Sequence, residues 1–237
     1  GTLVPFADKP EKASPDREIL RLLRNLSRQS CVVIVSGRDK DTLSRWFGEN
    51  FNLSAEHGAW IKEAKGLWIK AEELNADWKK QLRPIFELFT DRVPGSFTEE
   101  KEFSLVWHYR RADPVWGTIR ANELIDTLRA LTASTELQVI QGSKTVEVKD
   151  ARVNKGRVII YWLSKAKWDF ILAMGDDWTD EEMFKVLPDE AYTIKIGFTP
   201  SKAKFCIKSH LEARNLLHRM VQATDKKQIE SISVVTI

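Results

Sequence analysis

Two runs of consecutive apolar residues stand far apart in the chain and set the expected fold. The first, Cys31–Val35, and the second, Phe170–Met174, each contain five apolar residues in a row. Such runs are typical of strands that are buried on both faces of a parallel sheet. Helical spacing of apolar residues precedes the first run, at Ile19, Leu22, Leu23 and Leu26. The pattern therefore predicts an α/β fold with a doubly wound parallel sheet.

The hydrophobic pattern changes character between the two runs. Residues 76–151 predict a helix followed by two strands, and then a second helix followed by two strands. This order is typical of a small α/β unit with an antiparallel sheet. We predict a core at residues 1–75 and 152–237, interrupted by an inserted α/β cap at 76–151. The tail after Ala223 is predicted to be frayed.

Composition and charge narrow the function classes. The 237 residues carry a formal net charge of +3, with basic and acidic residues interspersed along the chain. Without a basic stripe or tail, we expect no nucleic-acid partner. No apolar run is long enough to cross a bilayer, so we expect no membrane partner. The two cysteines suggest neither a metal knuckle nor a disulfide framework, and a reduced cytoplasm is the expected location.

Three carboxylates follow the second apolar run within five residues. Asp176, Asp177 and Asp180 would repel one another unless a cation or a helix N-terminus lies beside them. Oxygen ligands suit Mg²⁺, which takes one or two carboxylates together with phosphate oxygens and water. Alternatively, Asp180 or Thr179 caps the next helix. The two interpretations are compatible, and both remain open at this point.

Two further residues occupy positions where an anion could bind. Ser36 follows the first buried strand, where its hydroxyl and the Gly37 amide could hold a phosphate oxygen. Serine is also ordinary turn chemistry at such a position. Lys155 stands at the start of a predicted helix, where its charge opposes the helix dipole and calls for an anionic partner. A solvated surface lysine is the simpler alternative.

Taken in order, these residues resemble the four motifs of the haloacid dehalogenase superfamily of phosphatases. Gly1-Thr2 resembles the end of Asp-x-Asp-Gly-Thr, and Ser36 matches the Ser or Thr after the second strand. Lys155 matches the third motif, and Gly175 through Asp180 match Gly-Asp-x-x-x-Asp. The resemblance covers nearly the whole chain, which is more specific than any single motif.

Further segments are similar to trehalose-6-phosphate phosphatases, both free-standing and fused to a synthase. The segments that carry this narrower resemblance are Thr2–Pro5, Ser36–Arg38, Glu56–Ala59, Glu99–Lys101, Trp107–Arg110, Val153–Gly156 and Gly175–Glu181. The resemblance implies a sugar phosphate as the small-molecule partner. It leaves open whether a trehalose-6-phosphate synthase is fused to, or associated with, this chain.

The resemblance also implies a mechanism. An aspartate attacks phosphorus to form an aspartyl-phosphate, and a second aspartate serves as acid and base. Mg²⁺ neutralises the phosphoryl charge; Asp176 would be a metal ligand, and Asp180 a ligand acting through water or behind the first shell. Ser36 and Lys155 would bind the phosphoryl group. The inserted cap would read the sugar.

Five residues are candidates for substrate binding. Sugar hydroxyls need both donors and acceptors, which charged side chains of the cap can supply, although a half-exposed sheet shows the same alternation. The candidates are Arg38, Glu99, Lys101, Lys144 and Glu147.

The resemblance places both catalytic aspartates upstream of Gly1. We therefore expect an apolar strand ending in Asp-x-Asp ahead of this chain, central in the sheet and flanked by the strands that end at Ser36 and Asp176. Without that strand, residues 1–237 are expected to have a gap in the sheet and no stable, active fold of their own. Three functions remain open: a Mg²⁺-dependent trehalose-6-phosphate phosphatase, a phosphatase for another sugar phosphate, and a catalytically silent phosphatase-like domain.

Overall fold

The structure is a computed structural model that describes residues 1–5, 13–71, 73–223 and 231–236. Within these residues the α-helices are α1 (Arg17–Leu26), α2 (Lys40–Phe47), α3 (Trp78–Arg92), α4 (Pro114–Thr132), α5 (Lys155–Leu163), α6 (Glu181–Val186) and α7 (His210–Ala223). The strands are β1 (Cys31–Val35), β2 (Asn52–Ala55), β3 (Trp60–Lys62), β4 (Trp68–Lys70), β5 (Phe97–Glu100), β6 (Ser104–His108), β7 (Leu137–Gly142), β8 (Thr145–Asp150), β9 (Phe170–Gly175), β10 (Tyr192–Ile196), β11 (Phe205–Ile207) and β12 (Ser231–Thr236).

The larger sheet has eight strands in the order β11-β10-β9-β12-β1-β2-β3-β4. All of its neighbours pair in parallel except β2 with β3 and β3 with β4, which form the antiparallel edge. The predicted α/β fold with a parallel sheet is confirmed. Both predicted apolar strands lie inside it as β1 and β9, with Val33 and Ala173 fully buried, as expected for inner strands of a parallel sheet.

The centre of this sheet differs from the prediction. β12 lies between β1 and β9 and pairs in parallel with both, from Cys31 opposite Ile232 to Val35 opposite Thr236. The expected gap is therefore absent, and the prediction that the tail is frayed is wrong for 231–236. β-Branched residues explain the strand: Ile232 and Val235 are fully buried. The rest of the predicted tail, 224–230 and 237, lies outside the described residues.

The chain folds into two compact units. One comprises Gly1–Ala71 and Asn154–Ile237, and the other comprises Glu72–Val153. The second unit has an antiparallel sheet in the order β5-β6-β8-β7. Its helices α3 and α4 pack against one face of that sheet, where Leu105, Trp107 and Val148 join a buried cluster with Phe86 and Leu124.

In the described parts of the chain, none of the helices combines the length and the apolar character that crossing a bilayer requires.

Candidate active site

The site residues of the larger unit lie where neighbouring parallel strands end. Ser36 follows β1, Thr236 ends β12, and Asp176 follows β9. Because β9, β12 and β1 are adjacent and parallel, their carboxyl ends meet at one edge of the sheet. Open α/β sheets bind their ligands at this edge, so the topology itself brings the predicted motifs together.

A buried ion pair forms the centre of the site. Lys155 Nζ lies 2.6 Å from Asp180 Oδ1, and both side chains are at least 95% buried. Burial alone would lower the pKa of the Lys155 ammonium. The charge and hydrogen bond of Asp180, aided by the charges of Asp177 and Asp176, outweigh burial and raise this pKa above its ordinary value. Lys155 therefore stays charged at neutral pH.

The start of α5 holds Lys155 in position. The side chain of Asn154 caps the helix by accepting a hydrogen bond from the Arg157 amide at 3.0 Å. The amide of Lys155 itself donates to Glu182 Oε2 on α6 at 3.1 Å. An acidic partner thus compensates for a lysine at a helix N-terminus. The prediction of a solvated surface lysine is wrong, because only 4% of Lys155 is exposed.

The carboxylate cluster both caps a helical turn and contributes to the site. Asp177 accepts a hydrogen bond from the Trp178 amide, while Asp180 Oδ2 accepts one from the Asp177 amide at 2.9 Å. This reciprocal arrangement is a capping box. This capping box belongs to the short turn Trp178–Asp180. Asp180 occupies the N-cap position of α6, as predicted, but its side chain makes no capping hydrogen bond there. Burial raises the pKa of the Asp177 carboxyl above its ordinary value; the charges of Asp180 and Asp176 add to this rise, and Lys155 opposes it.

A glycine allows Asp180 to fold back over the end of β9. A Cβ atom on Gly175 would lie 2.4 Å from both Cβ and Cγ of Asp180, closer than non-bonded carbons can approach. Any other residue at 175 would push Asp180 away from Lys155. The Gly-Asp-x-x-x-Asp spacing therefore has a steric cause in this structure.

Asp176 is held from the opposite side by the N-terminal segment. Thr2 Oγ1 donates to Asp176 Oδ1 at 2.7 Å, and it lies 2.7 Å from the hydroxyl of Thr236. Thr236 Oγ1 also lies 3.3 Å from Asp180 Oδ2. Hydroxyl groups therefore link the two aspartates, which come from opposite ends of one loop. The side chain of Asp176 keeps 16% of its surface exposed, unlike that of Asp180.

Ser36 lies in a tight turn at the end of β1. Its amide donates to Ser54 O at 2.9 Å, and its carbonyl accepts from the His57 amide at 3.0 Å. Its hydroxyl accepts from the Arg38 amide at 3.1 Å. A Cβ atom on Gly37 would lie 2.5 Å from the His57 ring, so the turn and that ring are closely packed. The guanidinium of Arg38 lies 5.6 Å from the centre of the Trp46 ring on α2.

In the smaller unit, strand pairing places two of the predicted substrate residues on one face. Glu99 lies opposite Val106, which lies opposite Glu147, and directly paired residues share a face of a sheet. This face is the one away from α3 and α4, since Leu105 and Trp107 face the helices. Glu99 and Glu147 are therefore brought together on one sheet face.

The two predicted lysines of the smaller unit differ in position. Lys101 directly follows β5, and its amide donates to Ser104 O at 3.0 Å. Lys144 lies in the hairpin between β7 and β8 with a φ of +64°. Its ammonium lies 5.5 Å from the centre of the Tyr109 ring and 3.4 Å from Thr118 Oγ1 on α4. The side chain of Lys144 thus extends toward the helices, away from the face with Glu99 and Glu147.

No three His, Cys, Asp or Glu side chains among the described residues converge as a ready-made metal site. In the carboxylate cluster, Asp180 has its oxygens bonded to Lys155 and to the Asp177 amide. Asp176 and Asp177 both keep some exposed surface, but Asp177 is engaged in capping the following turn.

The geometry matches one known family. A family model described as Trehalose-phosphatase matches residues 1–215. The chain belongs to the trehalose-phosphatase family. The match spans the end of the first motif at Gly1-Thr2 and the other three motifs, through Asp180.

Individual members of the trehalose-phosphatase family agree with this assignment. A bifunctional trehalose-6-phosphate synthase/phosphatase of Thermoproteus tenax is 40% identical over 223 residues, covering 93% of this chain and 30% of the relative. A trehalose-phosphatase of Zygosaccharomyces rouxii is 37% identical over 215 residues, covering 80% of this chain and 24% of the relative. The chain thus spans less than a third of the length of these relatives.

A solved structure shows the same fold. The C-terminal domain of Candida albicans trehalose-6-phosphate phosphatase superposes with a TM-score of 0.88 at 29% identity. The similarity covers 94% of this chain and 89% of that domain. This chain and that domain therefore share the overall fold.

Two residues of this trehalose-phosphatase fold were not predicted from the sequence. Thr236 falls in the tail expected to be frayed, although the β-branched run before it was the signal for a strand. His108 had no assigned role, yet its Nε2 lies 2.7 Å from Glu99 Oε2. Side chains alternate along β6, so His108 lies on the same face as Val106. This alternation could have indicated from the sequence that His108 is near Glu99.

Proposed function

We propose that this chain provides the phosphatase site that hydrolyses trehalose 6-phosphate to trehalose and phosphate, the last step of trehalose biosynthesis. The observation that carries the proposal is the hydrogen-bonded network of Lys155, Asp180, Thr236, Thr2 and Asp176 at the carboxyl ends of adjacent strands. It joins three of the four motifs through direct contacts, in a chain of the trehalose-phosphatase family.

The first role in the mechanism is to bind the transferring phosphoryl group. Lys155 stays charged and can donate up to three hydrogen bonds, one of which already goes to Asp180. Ser36 and the Gly37 amide lie at the same edge of the sheet. They follow β1, which pairs directly with the strand β12 that ends in Thr236. Together they offer a positive charge and neutral donors to phosphate oxygens, which is how phosphoryl transfer is stabilised.

The second role belongs to Mg²⁺, which when bound would neutralise charge on the phosphoryl group. The donor set fits this ion, since Mg²⁺ needs only one or two carboxylates besides phosphate oxygens and water. Asp176 is suited to direct ligation because its carboxylate keeps exposed surface. Asp180 is fully buried and bonded on both oxygens, so it would act indirectly, by holding Lys155 and the loop.

The proposed covalent step uses the two aspartates that the family resemblance expects ahead of Gly1. In the proposed mechanism, an Asp-x-Asp segment directly ahead of Gly1 supplies the nucleophile for an aspartyl-phosphate and then the acid/base. Its strand would take the central position that β12 holds in this structure. Thr2 would then follow that segment and orient Asp176 through its hydroxyl. Fusion to a synthase, as the name of the Thermoproteus tenax relative states for that protein, is part of the proposal. So is a reducing cytoplasm, with Cys31 and Cys206 as free thiols.

One observation favours a second candidate, a catalytically silent phosphatase-like domain that binds sugar phosphate or a partner. The strand between β1 and β9 ends in Thr236, where the resemblance expects an aspartate. A threonine hydroxyl there stabilises the network without supplying the expected nucleophile.

Phosphate release from a panel of sugar phosphates distinguishes the candidates. The chain would be assayed both as residues 1–237 and extended upstream of Gly1 through an apolar strand ending in Asp-x-Asp. We expect release from trehalose 6-phosphate by the extended form, and little from glucose 6-phosphate or sucrose 6-phosphate. If another sugar phosphate is hydrolysed preferentially, that compound replaces trehalose 6-phosphate as the proposed substrate. Binding without release by the extended form would establish the silent domain.

A further inference from the structure

A histidine on the sheet of the smaller unit lies beside a predicted substrate residue. His108 ends β6 and lies directly opposite Phe97 of β5, while Glu99 lies opposite Val106. All four residues therefore share the face away from α3 and α4. On this face His108 and Glu99 are diagonal neighbours, close enough for their side chains to meet.

The two side chains form a hydrogen bond. His108 Nε2 lies 2.7 Å from Glu99 Oε2, and the exposed fractions of the two side chains are 15% and 26%. An ionised carboxylate can only accept hydrogen bonds, so the proton of this bond lies on Nε2 of His108. His108 thus fixes one oxygen of Glu99, and with it the plane of the carboxylate.

An aromatic ring holds the imidazole in turn. The rings of Phe97 and His108 are 4.5 Å apart between centroids with an interplanar angle of 5°. A parallel stack at this distance restricts rotation of the imidazole. Phe97, His108 and Glu99 therefore form a chain of contacts in which each member limits the freedom of the next.

The surroundings of Glu99 suit a polyhydroxylated ligand. The next residues across the sheet are the apolar Val106 and a second carboxylate, Glu147, both more than 90% buried. Carboxylates accept hydrogen bonds from hydroxyl groups, and Glu99 keeps 26% of its side-chain surface exposed to meet one. An ordinary cross-strand pair contributes little to stability, so a purely structural role would make His108 replaceable at little cost.

We propose that His108 is a positioning residue for substrate specificity, which orients Glu99 to accept a hydroxyl of the sugar moiety. The inference rests on the proposed function, because it concerns the sugar of the same substrate. His108 itself acts through Glu99. The pre-oriented carboxylate avoids the cost of immobilising a free glutamate side chain when the sugar binds.

The test measures binding of trehalose 6-phosphate and of inorganic phosphate to residues 1–237 by calorimetry. We expect His108→Ala to weaken binding of trehalose 6-phosphate about tenfold, which is about 1.4 kcal/mol, and to leave phosphate binding unchanged. His108→Gln should recover part of the loss, because its side-chain amide can donate to Glu99. In a Glu99→Ala background, His108→Ala should cause less than about a twofold further loss, because the two residues act as a unit.

A matched control uses a second histidine–glutamate pair, which lies in the larger unit. His218 lies 3.5 Å from Glu18 in the larger unit, so His218→Ala should leave both affinities unchanged. Equal binding by wild type and His108→Ala, or full additivity with Glu99→Ala, would overturn the role of His108 alone. Absence of trehalose 6-phosphate binding by the wild type, with phosphate still bound, would instead overturn the proposed substrate.

Discussion

Lys155 and Asp180 form a fully buried ion pair, with 2.6 Å between Nζ and Oδ1. Withdrawing two charges from water is costly, and only their mutual attraction and additional hydrogen bonds offset it. Asp180 obtains one such bond from the Asp177 amide. The cost of burying each charge is therefore offset only while both members of the pair are present, which gives the first prediction.

Removing one member of this pair should destabilise the protein strongly. We expect Lys155→Met to lower the free energy of unfolding by about 3–5 kcal/mol, since it leaves the Asp180 carboxylate buried without its cation. Lys155→Met combined with Asp180→Leu should cost less than the single change. Urea unfolding followed by circular dichroism measures both.

An exposed ion pair provides the control for this experiment. Lys165 and Glu63 lie 2.7 Å apart on the surface, with exposed fractions of 41% and 52%. Lys165→Met should therefore barely change the unfolding midpoint. An equal loss in Lys165→Met and Lys155→Met would contradict the argument from burial.

Asp176 should be needed for metal binding but not for folding. We expect Asp176→Asn to abolish phosphate release in the upstream-extended protein and to weaken Mg²⁺ binding, because the amide lacks the charge that Mg²⁺ prefers. The Thr2 hydroxyl can still donate to the remaining carbonyl oxygen, so the fold should survive. Mg²⁺ titration by calorimetry tests the predicted loss of metal binding, and thermal unfolding tests whether the fold survives. Asp189→Asn, on the loop before β10, is the matched control, and full activity of Asp176→Asn would remove Asp176 from the mechanism.

Sequence patterns predicted the elements of the larger sheet where burial dictates residue type. β1 and β9 were predictable because a strand covered on both faces must be apolar throughout. The grouping of Ser36 and Asp176 followed from the rule that parallel strands end at one edge. The contact between Lys155 and Asp180 was not predictable, since 25 residues separate them and spacing alone fixes no side-chain direction.

Two features of the structure could not be predicted from the sequence, each for a physical reason. The strand Ser231–Thr236 was missed because a short β-branched run has no helical or alternating context to separate it from a tail. The face taken by Lys144 could not be predicted either, although its role in substrate binding stays a prediction, because the hairpin turn interrupts the alternation of side chains at its positive φ of +64°. Beyond a turn, the period of two no longer tells which face a side chain takes.

Asp16 should make the stability of the protein depend on acid pH. Hydrogen bonding from the Ile19 amide lowers the pKa of the Asp16 carboxyl below its ordinary value, and Arg214 adds to this effect against burial. A lowered pKa in the folded state stabilises the protein at pH values above the unfolded-state pKa, which is about 3.9. That contribution is lost as the pH falls through the folded-state pKa.

The measurement for Asp16 is the unfolding midpoint between pH 7 and pH 2. Asp16→Asn should lower the midpoint at pH 7 and lose its difference from wild type at the acid end, because a protonated aspartate resembles asparagine in charge. Asp189→Asn, on the loop before β10, serves as the reference. A constant difference between Asp16→Asn and wild type at every pH would show that the effect is not electrostatic.

The last prediction concerns β12, which occupies the position between β1 and β9 where a gap was expected. Ile232 is fully buried in the core of the larger unit. We expect Ile232→Ala to lower the free energy of unfolding by about 2–5 kcal/mol, through lost burial and the cavity left behind. Leu67→Ala, at a site 87% exposed, should stay within about 0.5 kcal/mol of wild type. If Ile232→Ala matches Leu67→Ala in urea unfolding, β12 does not hold the sheet together, and the centre must be filled by another strand.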